Sequence, residues 1–318
     1  HIFYNALFSN IVSTQAGRDY YVRYYLSLLN YYFSEEQAVP VLEEMHESQA
    51  QELENYYAHP ELIAGNIETP EDIDYSHVLT EIDEIKYFLV NRPAWGLLDI
   101  EEAFGFEGRF DMEVQNPGEA NITVDFATFH DTEYTGTYFS EVPVVVSAEP
   151  KCGDKFDYWL VDGVEYDDIT LTITSDMVQD DVLYLECVTS PDPEAGLLIS
   201  AVKSRGGSDY MELTNFGTQT VNLAEYLLAD GPDEKNQSTL PSVEVAPGET
   251  ITVYCKNYTG AEAIGKPGTS FNIKAGETLY LYRGEIVQTV DVPKLGTKEG
   301  VYRMDPYSGE FYEILMIS

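Results

Sequence analysis

The 318 residues carry 17 Lys and Arg against 56 Asp and Glu, a formal net charge of −39. Nucleic-acid affinity needs clustered cations to neutralise phosphates, and Lys203 and Arg205 are the nearest approach to a cluster, so nucleic acid is excluded as a partner. Like-charge repulsion argues equally against anionic membrane surfaces. No apolar run approaches the ~18 residues needed to span a bilayer, so no membrane insertion is expected. The acidity suits a soluble protein placed outside the cell or at its surface, where calcium is plentiful. The chain opens at His1-Ile2-Phe3-Tyr4 without a basic segment or an apolar leader, and is read as a piece of a longer protein.

The first hundred residues have helical spacing. Tyr20, Tyr21, Tyr24, Tyr25, Leu28, Leu29 and Tyr32 recur at three and four residues, the pattern of a helix that buries one face. Ser34-Glu35-Glu36-Gln37 has the form of a capping box. From it a second helix, carried by Val41, Met45 and Leu53, runs to about Tyr57. Residues 66–74, with Pro70, read as a linker. A third helix opens at Tyr75-Ser76, carries Val78, Leu79, Ile82, Ile85, Phe88 and Leu89, and is expected to stop near Asn91, because Pro93 disfavours helix in the residue before it. A short fourth helix, Leu97 to Phe104, ends at Gly105.

Three stretches here, Leu7-Phe8-Ser9-Asn10, Arg18 to Ser34 and Ile85 to Arg92, resemble the C-terminal helices of the CotH-type (spore-coat-H) kinase family of bacteria. The resemblance implies that the family's kinase-like core lies upstream of His1. No Gly-rich phosphate loop with a following lysine and no catalytic-loop motif occurs in this chain, so no catalytic residue is carried over.

Residues 110–191 change to strand patterning, with Asp162-Gly163 as a hairpin turn and Ile169 to Ile173 alternating. Gly136 to Phe139, Val142 to Ala148 and Lys155 to Trp159 resemble the small β-grasp-like repeats of bacterial surface proteins, a likeness that places Trp159 in the core. Cys152 and Cys187 lie in this region. A bridge between them is worth ~3–4 kcal/mol by loop-closure entropy, and two buried apolar thiols are the other reading.

Leu197 to Gly260 alternates again, in Leu198 to Val202, Tyr210 to Leu213 and Thr250 to Tyr254, with turn signals about every ten residues, the pattern of a small β-sandwich. This segment resembles the lamin-tail domain, an immunoglobulin-like module that binds or displays rather than catalyses. Its last strands are expected at Thr278 to Tyr282, Ile286 to Val290 and Glu310 to Leu315, with Arg303 paired to Asp305 or Glu310. Cys255 reads as a core residue.

The fold class is thus multidomain α+β: a helical region (1–107), a small β-rich repeat (108–193) and an immunoglobulin-like lamin-tail sandwich (194–318). His1, His46, His59, His77 and His130 lack zinc spacing, and no GxSxG elbow occurs, so the chain is expected not to be an enzyme and to carry no cofactor. One loop, with Asp230, Asp233, Glu234 and Asn236, gathers oxygen ligands suited to calcium, although Lys235 intrudes and the loop lacks the spaced ligand ladder of a calcium-binding hand. The expected function is a binding or positioning module of a secreted or surface protein, acting on its upstream domain, a protein or a glycan. A stand-alone adhesion or carbohydrate-binding module is the alternative, with Tyr302, Tyr307 and Tyr312 as stacking candidates.

Overall fold

The computed structural model describes residues 8–59, 74–204, 208–232, 237–295 and 300–315. A helical N-terminal region is followed by β-sheets to the end of the described chain. Two compact units divide it: residues up to Gln115 with 122–147 and 159–186, and residues 116–121, 148–158 and 187 onward.

In the first unit, α1 (Gln15–Ser27) passes into a π-helical turn (Leu28–Tyr32), followed by α2 (Glu35–Tyr57) and α3 (Tyr75–Phe104). Thr14 caps α1 by accepting the Gly17 amide. Ser34 stands at the N-cap of α2 as its position suggested, but its side chain makes no capping bond, so the capping box does not form. The first-turn Glu35 and Glu36 complement the helix dipole instead. The two helices expected on either side of Pro93, Tyr75 to about Asn91 and Leu97 to Phe104, are one helix of 30 residues with Pro93 inside it. Burial of Gly96, Leu97 and Ile100 beyond the proline holds the helix together there, a tertiary effect that outweighs the local preference. Asp74 caps α3 through the Ser76 amide, and Gly105 ends it in the left-handed conformation at φ 69°.

The strands of the middle segment are β1 (Arg109–Gln115), β2 (Asn121–Val124), β3 (Ala127–Phe129), β4 (Glu133–Phe139), β5 (Val144–Glu149), β6 (Asp154–Val161), β7 (Val164–Tyr166), β8 (Thr170–Ile173) and β9 (Val182–Pro191). They form two sheets, β4-β1-β9-β6-β7 and β3-β2-β5-β8, in which β1 runs antiparallel to β4 and parallel to β9. The first residues of β6 and the last of β9 are counted with the second unit. Asp162 and Gly163, both at positive φ, close the two-residue β6–β7 hairpin. Alternation buries Phe110, Met112 and Val114 on β1 and Val144, Val146 and Ala148 on β5, and Trp159 is wholly buried.

The second unit carries β10 (Leu197–Lys203), β11 (Tyr210–Asn215), β12 (Val221–Asn222), β13 (Leu227–Ala229), β14 (Gln237–Thr239), β15 (Glu244–Val245), β16 (Thr250–Tyr254), β17 (Thr278–Arg283), β18 (Glu285–Asp291), β19 (Gly300–Met304) and β20 (Phe311–Leu315). The main sheets are β16-β11-β10-β19-β20 and β14-β13-β17-β18. Inward residues of both, among them Ile199, Met211, Leu213, Val253, Leu279 and Leu281, enter one core, with Cys255 in it. Gly284, at φ 78°, turns β17 into β18. Arg303 pairs with Glu212 at 3.0 Å rather than with Asp305 or Glu310. Its strand lies beside β10, where it faces the small Ala201, and Glu212 faces Ala201 from the other side, so the long side chain reaches across. Cys152 and Cys187 form no disulfide and remain thiols, as does Cys255.

Candidate docking surface

The helices of the first unit are fixed at a few points. Val22, Leu26 and Leu29 are buried, and a Cβ at Gly96 would come within 2.6 Å of Leu29 Cδ1, so α3 approaches the π-turn at a distance suited to glycine. Arg92 donates to the Tyr25 hydroxyl and pairs with Asp99 at 3.4 Å. The Asn30 amide donates to the Thr137 carbonyl (2.9 Å) and accepts the Thr137 amide (3.2 Å). One side chain thereby satisfies two backbone groups on the edge strand β4. Arg23 Nε donates to Asp125 at 2.6 Å, in the left-handed turn between β2 and β3. The Asp125 side chain is buried, its Oδ2 has no partner, and its pKa is raised by burial despite the Val145 amide and Arg23.

This scaffold leaves a number of large apolar side chains open. On α2, half-buried or buried Ala38, Val39, Leu42, His46, Ala50, Leu53 and Tyr57 recur at helical spacing as the packing face. Val41 (55% exposed) and Met45 (57%), expected from the sequence to carry the helix, stand beside that face in solvent. With Tyr32, Phe33, Ala38, Leu42 and Leu89 they line a groove of about 290 Å³ between α2 and α3. The sequence also assigned Tyr20, Tyr24, Tyr32, Leu79, Ile85 and Phe88 to packing faces, yet all six are exposed. Each α-helix has room to bury about one stripe, and these residues belong to a second one.

A second cleft, about 520 Å³, lies along α3 and is lined by Thr80, Asp83, Glu84, Tyr87, Phe88 and Trp95. The Tyr87 and Phe88 rings stand 6.1 and 6.2 Å from that of Trp95. A third cleft, about 500 Å³, is lined by residues including Asn30, Tyr31, Glu36, Asp131 and Glu133. Among the described residues no group of three or more His, Cys, Asp or Glu side chains is placed to hold a metal ion.

Of the calcium candidates, Asp230 is half-buried just after β13, while Asp233, Glu234 and Asn236 lie outside the described residues. His46 faces the Tyr75 hydroxyl at 2.9 Å and ties α2 to α3. Of the stacking candidates, Tyr302 lies against Phe311 with centroids 5.1 Å apart, Tyr307 is half-buried and Tyr312 is exposed. Burial pushes the Cys255 thiol up to about 12, which makes it inert near neutrality.

The sequence reading missed Tyr87 and Trp95 as surface residues. The signal lay in Ile85 to Leu98, which is apolar around most of the helix, a pattern that a surface helix packed on one side leaves unburied. Comparison with protein-family models, with curated proteins and with solved structures gave no match.

Proposed function

We propose that this chain is the non-catalytic C-terminal part of a secreted or cell-surface bacterial CotH-type protein, whose helical region binds or positions a partner protein or domain. The observation that carries the reading is the set of large apolar side chains left open on α2 and α3, among them Val41, Met45, Tyr87, Phe88 and Trp95. Side chains of this size in solvent, on two adjoining helices, mark an interaction site. The resemblance of Arg18 to Ser34 and Ile85 to Arg92 to the CotH-type helices supports the family. Two antiparallel sheets around one core agree with a lamin-tail, immunoglobulin-like module from residue 194 on.

The test is the emission of Nile red, a neutral dye that brightens and shifts to the blue on apolar surface. The chain is expected to give the shift, and a Val41→Gln/Met45→Gln variant to lose most of it with an unchanged circular dichroism spectrum. No shift with the unaltered chain overturns the reading. In the same preparation, Mg²⁺, Mn²⁺ and radiolabelled ATP should give no phosphate transfer above background.

The adhesion or carbohydrate-binding alternative has one observation of its own. Tyr210, Tyr254 and Tyr258 cluster at the β11–β16 edge, with Tyr254 and Tyr258 centroids 4.6 Å apart and Lys203 over the Tyr210 ring. Glycan-array binding that Tyr254→Ala abolishes would favour it.

A further inference from the structure

The apolar surface carries information about the charge of what covers it. We propose that the groove between α2 and α3 receives a basic amphipathic helix of a partner protein, whose apolar side packs on Val41, Met45 and Leu89 while its Lys and Arg side chains meet the glutamates that flank the groove. This rests on the reading of the helical region as a docking surface and names the chemistry of its partner.

Shape gives the first argument. A long apolar groove between two helices suits the exposed stripe of a third, which presents side chains at three- and four-residue intervals. Met45, flexible and polarisable, adapts to such a stripe.

Charge gives the second. α2 carries seven glutamates and neither Lys nor Arg. Glu52 continues the Val41–Met45 stripe further along α2, and on α3 Glu81 stands one turn before Ile85. Lys86, which lies on α3 among them, is neutralised by Glu43 at 2.5 Å. An apolar floor with this rim selects cationic flanks and rejects anionic ones.

Net charge gives the third. A second copy of this chain is the wrong occupant, because its own net charge is −39. An anionic bilayer fails for the same reason.

The test uses three fluorescein-labelled 14-residue amphipathic peptides that share one leucine stripe and carry Lys, Gln or Glu on the polar side, read by anisotropy. The Lys peptide is expected to bind at least tenfold more tightly than the Gln peptide, and the Glu peptide not to bind. Val41→Gln/Met45→Gln and Glu52→Gln/Glu81→Gln should each weaken the Lys peptide at least fivefold. Asp167→Asn/Asp168→Asn, which removes the same charge far along the chain, should leave it unchanged. Equal binding of Lys and Gln peptides overturns the proposal, as does equal weakening by the control variant, which would reduce the effect to general acidity. Those failures leave the Nile red result standing, whereas loss of the dye shift removes the docking surface itself.

Discussion

The strands of the second unit and the helices of the first solve the burial problem to different degrees. In the second unit the inward positions are closed completely: Ile199, Met211, Leu213, Leu279 and Leu281 are all at 0% exposure, and the outward positions between them are largely polar or tyrosine. In the helices, Val41, Met45, Tyr87 and Phe88 stand open although other apolar residues such as Val39, Leu97 and Ile100 are packed. A strand that alternates has one apolar face and one destination for it. A helix such as α3, apolar around most of its circumference from Ile85 to Leu98, has more apolar surface than its neighbours cover. The difference separates a region whose inward apolar residues are covered from one that leaves large apolar side chains open.

The largest expected effect tests the covered region. Leu213→Ala should cost ~2–5 kcal/mol in urea unfolding, the transfer and cavity cost of a fully buried leucine. A loss under about 1 kcal/mol would mean that the core can collapse around the gap. Next comes Arg23→Ala, which leaves the Asp125 carboxylate buried without its cation. With Arg23 itself partly exposed, the loss at pH 7 should be about 2–4 kcal/mol. Because burial raises the folded-state pKa of Asp125, its protonated form is the one the fold tolerates. The penalty should therefore be smallest below the unfolded value of about 3.9 and grow as pH rises through the folded value. A pH-independent penalty would show that the carboxylate finds water instead.

Two smaller effects sharpen the account of how the helices are held. Gly96→Val forces a branched side chain against Leu29 and should cost about 1–3 kcal/mol, while loosening the groove above it. Asn30→Ala leaves the Thr137 amide and carbonyl without their partner and should cost ~1–2 kcal/mol. The smallest effect is the most informative about the surface. Met45→Gln should change stability by no more than about 0.5 kcal/mol, as at other exposed sites. A loss of several kcal/mol would place Met45 in the core and contradict its exposure.

Much of the strand framework was legible from period-two patterning. Tyr210 to Leu213, Thr278 to Tyr282 and the Asp162-Gly163 hairpin read directly, since alternation and a turn that needs positive φ are local signals. Trp159 was placed in the core by likeness to a repeat. The helix through Pro93 was not legible, because contacts at Gly96 and Leu97 decide it and local preference points the other way. The pairing of Arg303 with Glu212 depends on strand order, which the sequence does not state. Asp125 was not singled out in the sequence, because nothing local marks its burial against Arg23. The docking surface was half legible: the excess of apolar residues in α3 was visible, but which stripe would be left over depends on how α2 and the π-turn pack.

The two tryptophans report on the central claim from opposite sides. Trp159 is at 0% exposure and Trp95 at 38%. Acrylamide quenching of the unaltered chain should therefore resolve two populations, one accessible and one protected. In Trp95→Phe the accessible population should vanish and the protected one remain. If Trp95 is as protected as Trp159, the surface on α3 is already covered, and the account of the helices as an open docking face is wrong.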